Sequence, residues 1–338
     1  MSEIYTKSLT IGGTTIKGLP PVTTADNEKV LGVVNGQWAV VEPESFEVTE
    51  KSWTKSLNFG GSDTYTPLVT ITTSDNGKIL TVVDGEWAPA EPPESLKIVT
   101  WADGTDEEIS AMVVAADAGK INLADYWSVG DERTVQLSAM AATGVDESHT
   151  AQTVTMVLMN AGGKTLAAAT ASGRTTCSFI VGLKNSLAEA GYMNSTGTNS
   201  GSWNSSARRA WCNSVFREAI PSTLRGIFKQ HKNLTIATYN GSTNQETIDY
   251  FALPAEKEIF GSASYSNITE ANALSQFTYY ATASNRVKKL GNSGSASFWW
   301  ERSPHSSYSG RFCIVISGGS ANGDYAGNPL GVAPFGCI

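Results

Sequence analysis

One stretch of this chain is written twice. Thr6-Lys7-Ser8-Leu9 with Ile11-Gly12-Gly13 returns as Thr54-Lys55-Ser56-Leu57 with Phe59-Gly60-Gly61. Likewise ADNEKVLGVVNGQWAVVEP (25–43) returns as SDNGKILTVVDGEWAPAEP (74–92). The offset of about 48 residues holds through both blocks, which makes them two copies of one module. Each copy carries the chemistry of a β-hairpin: a Val/Leu run, then Asn35-Gly36 or Asp84-Gly85 to supply the positive φ of a tight turn, then a strand starting at Trp38 or Trp87. Hairpins this small cannot bury enough apolar surface alone, so the modules are expected to pack on symmetry mates, most simply around a threefold axis. Pro43 and Pro92-Pro93 close the modules because proline cannot continue a ladder. The expected organisation is one module over 1–45, its copy over 46–93, and a larger domain over 94–338.

The larger domain has a different texture. Thr105 followed three residues later by Glu108 forms a capping box ahead of Ile109, Met112, Val113 and Ala116, the signature of an amphipathic helix. A second helical stretch is expected from about Ser205, with Trp211, Val215 and Phe216 on one face, and Pro221 opens another short helix. Strands are expected at Val154 to Leu158, Tyr250 to Leu253, Phe298 to Trp300, Phe312 to Ile316 and Gly331 to Phe335. Long Gly/Ser/Asn-rich segments join them, and segments of that length usually carry function. With 338 residues, 41% hydrophobic, 17% charged and 32 Gly, the chain reads as an α+β protein: a β-hairpin repeat stalk followed by a mixed domain with long loops.

Several function classes recede on the same reading. A net charge of -8 without a Lys/Arg cluster gives no reason to bind nucleic acid. MSEIYTKSLT has neither a basic n-region nor an apolar h-region, and no run approaches the ~18 apolar residues of a span, so neither export nor membrane insertion is expected. Cys177, Cys212, Cys313 and Cys337 are scattered without CxxC spacing, which argues for buried free thiols and against zinc. His149, His231 and His305 accompany no nucleophile elbow or metal-binding motif and are expected at the surface. Asp103, Asp106, Glu107 and Glu108 open a helix, where acids meet the macrodipole favourably. Gly162-Gly163-Lys164 lacks the rest of a phosphate loop. No enzyme activity and no cofactor are expected. A protein made reduced in the host cytoplasm and acting outside it fits a virion component released by lysis.

Five stations then carry a resemblance: Tyr126-Trp127-x-Val129-Gly130-Asp131; Met159-Asn160; Gly201-x-Trp203-Asn204-x-Ser206-x-x-Arg209; Phe298-Trp299-Trp300-x-Arg302-Ser303-Pro304; and Gly331-Val332-Ala333-Pro334. In this order, over 98–338, the chain resembles a family of uncharacterised domains of phage tail proteins and gut-bacterial surface proteins. That family is similar to the C-type lectin fold, which implies ligand-binding loops carried on a small sheet. From Trp299 onward the chain resembles retroelement-diversified variable proteins of the major tropism determinant type, in which a fixed frame alternates with substitutable positions. The resemblance implies a frame of Trp299, Trp300, Arg302, Ser303, Pro304, Phe312, Cys313, Val315, Ala321 and 331–338. It implies a ligand-binding face of Glu301, His305, Ser307, Tyr308, Gly310, Arg311, Ile316, Gly318, Ser320, Gly323, Asp324, Tyr325, Gly327 and Leu330.

Composition points the same way, since Tyr, His, Arg and Asp in a Ser/Gly/Asn background is the make-up of paratopes. Trp299 and Trp300, adjacent on a strand, are expected to face opposite ways, one into the core and one toward the site. The formylglycine-generating oxidases share the lectin-like scaffold, but their chemistry needs a close reactive cysteine pair, and Cys313 and Cys337 both read as buried strand thiols. The ligand motifs of calcium-binding lectins are missing from the tail. The expected function is a virion or surface adhesin. Its C-terminal face would bind a host-surface receptor, protein or glycan, and its N-terminal modules would meet other virion proteins within a homotrimer. The alternative is a purely structural virion protein without receptor binding of its own.

Overall fold

The computed structural model describes residues 9–11, 14–16, 30–34, 37–41, 79–83, 86–90, 96–146 and 148–338. The chain divides into two compact units, Met1–Ser95 and Leu96–Ile338. In the first, three antiparallel ribbons are formed by β1 (Leu9–Ile11) with β2 (Thr14–Ile16), β3 (Val30–Val34) with β4 (Gln37–Val41), and β5 (Ile79–Val83) with β6 (Glu86–Ala90). The two copies of the repeat share one register, closing at Val34 opposite Gln37 and at Val83 opposite Glu86. The second strand of each hairpin begins one residue before its tryptophan. The turn dipeptides, Asn35-Gly36 and Asp84-Gly85, lie outside the described residues, as do the closing prolines at 43, 92 and 93.

The second unit is a mixed α+β structure. Its strands are β7 (Glu132–Leu137), β8 (Gln152–Ala161), β9 (Phe179–Leu183), β10 (His231–Ile236), β11 (Asn244–Asp249), β12 (Phe251–Ala252), β13 (Lys288–Lys289), β14 (Ala296–Ser297), β15 (Trp299–Pro304), β16 (Arg311–Val315), β17 (Ala321–Tyr325) and β18 (Phe335–Cys337). Five of them form an antiparallel sheet in the order β12-β18-β9-β8-β7. β8 holds Val154, Met156, Val157, Leu158 and Met159 all buried, because it is covered on both faces. The edge strand β7 alternates exposed and buried residues, the period-2 pattern of a strand with one face in the core. The last strand, β18, enters between β12 and β9, where a Cβ on Gly336 would stand 2.7 Å from the Phe228 ring and 2.8 Å from the Phe251 ring. Only glycine permits that approach.

The helices are α1 (Asp106–Asp117), α2 (Ser202–Ser205), α3 (Ala207–Trp211), α4 (Arg217–Ala219), α5 (Ser222–Ile227), α6 (Glu256–Phe260) and α7 (Ile268–Asn272). The Thr105 hydroxyl accepts from the Glu108 backbone N–H, and the Glu108 carboxylate accepts from the Thr105 N–H, so the capping box exists as the sequence implies. Ile109, Met112, Val113 and Ala116 are its buried face. A π-turn over Cys212–Phe216 joins α3 to α4. Within it, the Asn213 carboxamide accepts from the Tyr250 and Phe251 N–H groups and donates to the Phe251 carbonyl, tying the helical segment to β12. Among the described residues no helix is long and apolar enough to cross a membrane.

Candidate functional site

The C-terminal sheet runs β15-β16-β17, antiparallel throughout. Its frame is sealed. Trp299, Trp300, Arg302, Ser303, Phe312, Cys313 and Val315 are all buried, and Ala321 is half-buried. Both tryptophans are fully buried, contrary to the expectation that one lines the site. The reason is that β15 is covered on each side: the Trp299 indole N–H donates to the Arg286 carbonyl at 2.9 Å, and that of Trp300 to the Gly191 carbonyl at 2.8 Å.

Between Trp300 and Pro304 the register of β15 against β16 slips, so strict alternation fails there. Glu301 is not on the surface face that the resemblance implies: β15 is buried along its whole length, and Glu301 with it. Neither of its carboxylate oxygens has a hydrogen-bond partner among the described residues. Burial, reinforced by the charges of Glu256 and Glu270, raises its pKa well above the ordinary range, which favours the neutral acid. A carboxyl raised on folding adds stability at low pH that is lost as pH climbs past the unfolded value, ~4.3. Glu301→Gln is therefore expected to unfold at higher temperature than the wild type at pH 7. The difference should close by pH 4, and a pH series of thermal melts checks it.

The remaining candidates separate into two groups. At one end of the sheet, Arg311 pairs with Tyr325 across β16 and β17. The Arg311 guanidinium lies 4.8 Å from the Tyr308 ring centre and 4.5 Å from that of Tyr325. Tyr308 and Tyr325 are 55% and 52% exposed. His305 packs edge-on to Tyr308 at 4.8 Å and beside Tyr265 at 5.5 Å. A Cβ on Gly323 would meet the His305 ring at 2.4 Å, so glycine makes room for it. Burial, and then the Arg311 charge, lower the His305 pKa and favour the neutral ring. Its Nδ1 accepts from the Ser307 N–H at 3.1 Å, an arrangement that leaves the proton on Nε2. Ser307 is exposed and Gly310 half-buried in the same turn.

Ile316, Gly318 and Ser320 lie in the turn that joins β16 to β17, the length of β16 away, about 16 Å at the strand rise. The first is half-buried against the core and the other two are exposed. Leu330 packs partly on the core, its backbone paired with Gly191. Asp324 is half-buried, and its carboxylate accepts from the Tyr325 N–H and the Asn328 amide. Gly327, half-buried, faces Gly197. The face that comes together is thus narrower than the fourteen positions, centred on Tyr308, Arg311 and Tyr325.

Two of its supports are absent from the tail. Asn199, 1% exposed, donates its side-chain amide to the carbonyls of Tyr308 (2.9 Å) and Arg311 (2.8 Å). The Tyr265 backbone carbonyl accepts from the Ser306 N–H at 2.8 Å. The Tyr265 loop itself is held by the buried Glu256 carboxylate, which accepts from the N–H groups of Ser264, Tyr265 and Ser266. Tyr265 carries the same signal as the tail, a tyrosine in a Ser/Asn background at Ser264-Tyr265-Ser266-Asn267. Asn199 carries none of its own.

The frame residue Arg302 belongs to a buried ionic network. Arg302 donates to both oxygens of Glu258 and to the Leu253 carbonyl, and Lys164 donates to Glu258 Oε1 as well. Burial pushes Glu258 up, but the charges of Arg302 and Lys164 outweigh it and hold it at about 2. Burial lowers the Lys164 pKa. Lys288, wholly buried, donates to the Leu183 and Lys184 carbonyls, and burial brings its pKa down to about 7.

The histidines expected at the surface are buried, His149 at 1%, His231 at 0% and His305 at 6% exposure. His149 sits 3.0 Å from the Glu189 carboxylate and packs on Trp211. His231 lies against the Phe335 ring, and burial lowers its pKa to about 3. All four cysteines are free and buried. Cys313 is on β16 and Cys337 on β18, in separate sheets. A cleft of about 450 Å³ beside Arg209, Asn213 and Tyr250 lies elsewhere, and its arginine and amide are already engaged by Asp249. Among the described residues no cluster of His, Cys, Asp and Glu is placed to hold a metal.

Compared with known families, residues 180–338 match a domain of unknown function, DUF6273, a span that takes in the whole C-terminal sheet, Asn199 and Tyr265. The stations at Tyr126 to Asp131 and at Met159-Asn160 fall before it. No curated protein and no solved structure matches the chain.

Proposed function

We propose that the second unit is the binding head of a phage-type fibre or adhesin, recognising a host-surface ligand through the face centred on Tyr308, Arg311 and Tyr325. The observation that carries this reading is the contrast in exposure: two tyrosines more than half exposed, flanking one arginine, above a frame with Trp299, Trp300 and Arg302 fully buried. Rigid aromatic anchors on a fixed backbone give contact area at little entropic cost. On this reading the scaffold is C-type lectin-like and tolerates replacement of its exposed positions, no catalysis is involved, and the repeat unit is the stalk that attaches to the virion and trimerises. Three heads would turn weak single contacts into avid attachment. The structural-protein alternative draws on exposed apolar side chains away from the tail, Ile98, Val114 and Tyr126, which a neighbouring subunit could cover.

Comparison of the coding sequence among related isolates tests the proposal. Differences in codons 299–338 should gather at Ser307, Tyr308, Arg311, Gly318, Ser320 and Tyr325 and spare the buried positions, Glu301 among them. If that segment varies no more than the β7–β9 core, the structural reading replaces this one.

A further inference from the structure

Arg311 differs from the other arginines of the second unit in what its guanidinium touches. Arg133, Arg174, Arg208, Arg209, Arg217, Arg225 and Arg302 each pair with a carboxylate, and Arg286 donates to the Tyr280 carbonyl. The Arg311 guanidinium has no ion pair and no hydrogen bond among the described residues, and its Nε is buried without a partner. It lies over the rings of both Tyr308 and Tyr325 in a chain of net charge -8, where carboxylate partners abound. A planar cation fixed in this way presents N–H groups in the fork that fits a carboxylate at two points. The adjacent His305, favoured neutral, does not compete for the anion.

The surroundings favour one source of that carboxylate. Tyr308 and Tyr325 are the only large apolar side chains exposed within residues 299–338, a span with no exposed large aliphatic residue. Around them Ser307, Ser309, Asn322 and Asn328 are exposed and can exchange hydrogen bonds with hydroxyl groups. Protein interfaces also use Tyr and Arg anchors, but around a more apolar core; here the two rings and the guanidinium are surrounded by small polar side chains. Sugars offer hydroxyls for the polar rim and C–H faces for the tyrosines.

We propose that this face recognises an acidic glycan, with the sugar carboxylate received by Arg311 between the two tyrosine rings. The inference rests on the recognition reading above and adds the class of ligand. The test follows the Arg311 Nε–H resonance of the full chain by NMR, assigned through its loss in Arg311→Lys. The probes are 3′-sialyllactose and trigalacturonate, with lactose and tetraglutamate as comparisons. The expected result is a saturable shift with one or both acidic saccharides at a concentration at least tenfold below any lactose response. Arg311→Lys, monitored on neighbouring backbone amides, should weaken that binding about tenfold or more while the rest of the spectrum is unchanged.

Equal responses to lactose and the acidic saccharides would overturn the carboxylate assignment, and a response to tetraglutamate alone would move the ligand to an acidic protein segment. Silence with every probe, while labelled protein still binds host cells through Tyr308 and Tyr325, would defeat the acidic-glycan class and leave the recognition reading standing. Silence together with absence of cell binding would defeat both.

Discussion

Arg302→Met is expected to destabilise the second unit by about 3–5 kcal/mol, a large fraction of the 5–15 kcal/mol that holds a typical domain together. The side chain is fully buried, and Glu258, 1% exposed, would keep only Lys164 as a charged partner. Breaking such a network from one side strands a charge in a low-dielectric interior, whereas exchanging all its members for apolar groups removes the desolvation cost with the charges. The triple variant Lys164→Met/Glu258→Leu/Arg302→Met should accordingly regain much of the loss, which denaturant titration followed by tryptophan fluorescence would measure. The network also sets acid stability. Glu258 is lowered on folding to about 2, so its contribution is complete above the unfolded value of ~4.3 and is lost as pH falls through about 2. Glu258→Gln removes that slope, opposite in sign to the one that Glu301 imposes.

The second large effect is on binding rather than stability. Replacing Tyr308, Arg311 and Tyr325 together by Ala should lower attachment of fluorescently labelled protein to host cells by 100-fold or more, since each central anchor is worth roughly 2 kcal/mol. The melting temperature should hardly move. Both rings are more than half exposed, and Arg311 spends no ion pair or hydrogen bond on the fold. The loop geometry rests instead on Asn199, which grips the Tyr308 and Arg311 carbonyls, and those backbone contacts survive in the variant. A melting temperature that falls by many degrees would mark the three side chains as structural.

How far the sequence could be read depends on how local each signal is. The α1 capping box is written within four residues, and β8 announces itself by an apolar run from Val154 to Met159 broken only at Thr155, so both are found where the pattern places them. Glu301, which the resemblance implies on the binding face, is buried because segments distant in sequence cover β15 along its whole length, and composition does not reveal that cover. The tryptophan pair does point to two faces, but residues remote in sequence, Gly191 and Arg286, cover both. Lys164 looks inert as a fragment of a phosphate loop, and its role as a buried partner of Glu258 spans 94 residues. Asn199 and Tyr265 reach the face from outside the tail. The Tyr308–Arg311–Tyr325 cluster is legible because its members lie within one continuous three-stranded meander, where the β16–β17 register brings two of them side by side.

The most direct test of the recognition face is tyrosine footprinting of the full chain, free and bound to envelopes of a susceptible host. Tyr126, 43% exposed and outside the tail, serves as the internal reference for Tyr308 and Tyr325. The account predicts that binding protects Tyr308 and Tyr325 from labelling and leaves Tyr126 unchanged. Protection of Tyr126 with Tyr308 and Tyr325 still fully labelled would contradict it.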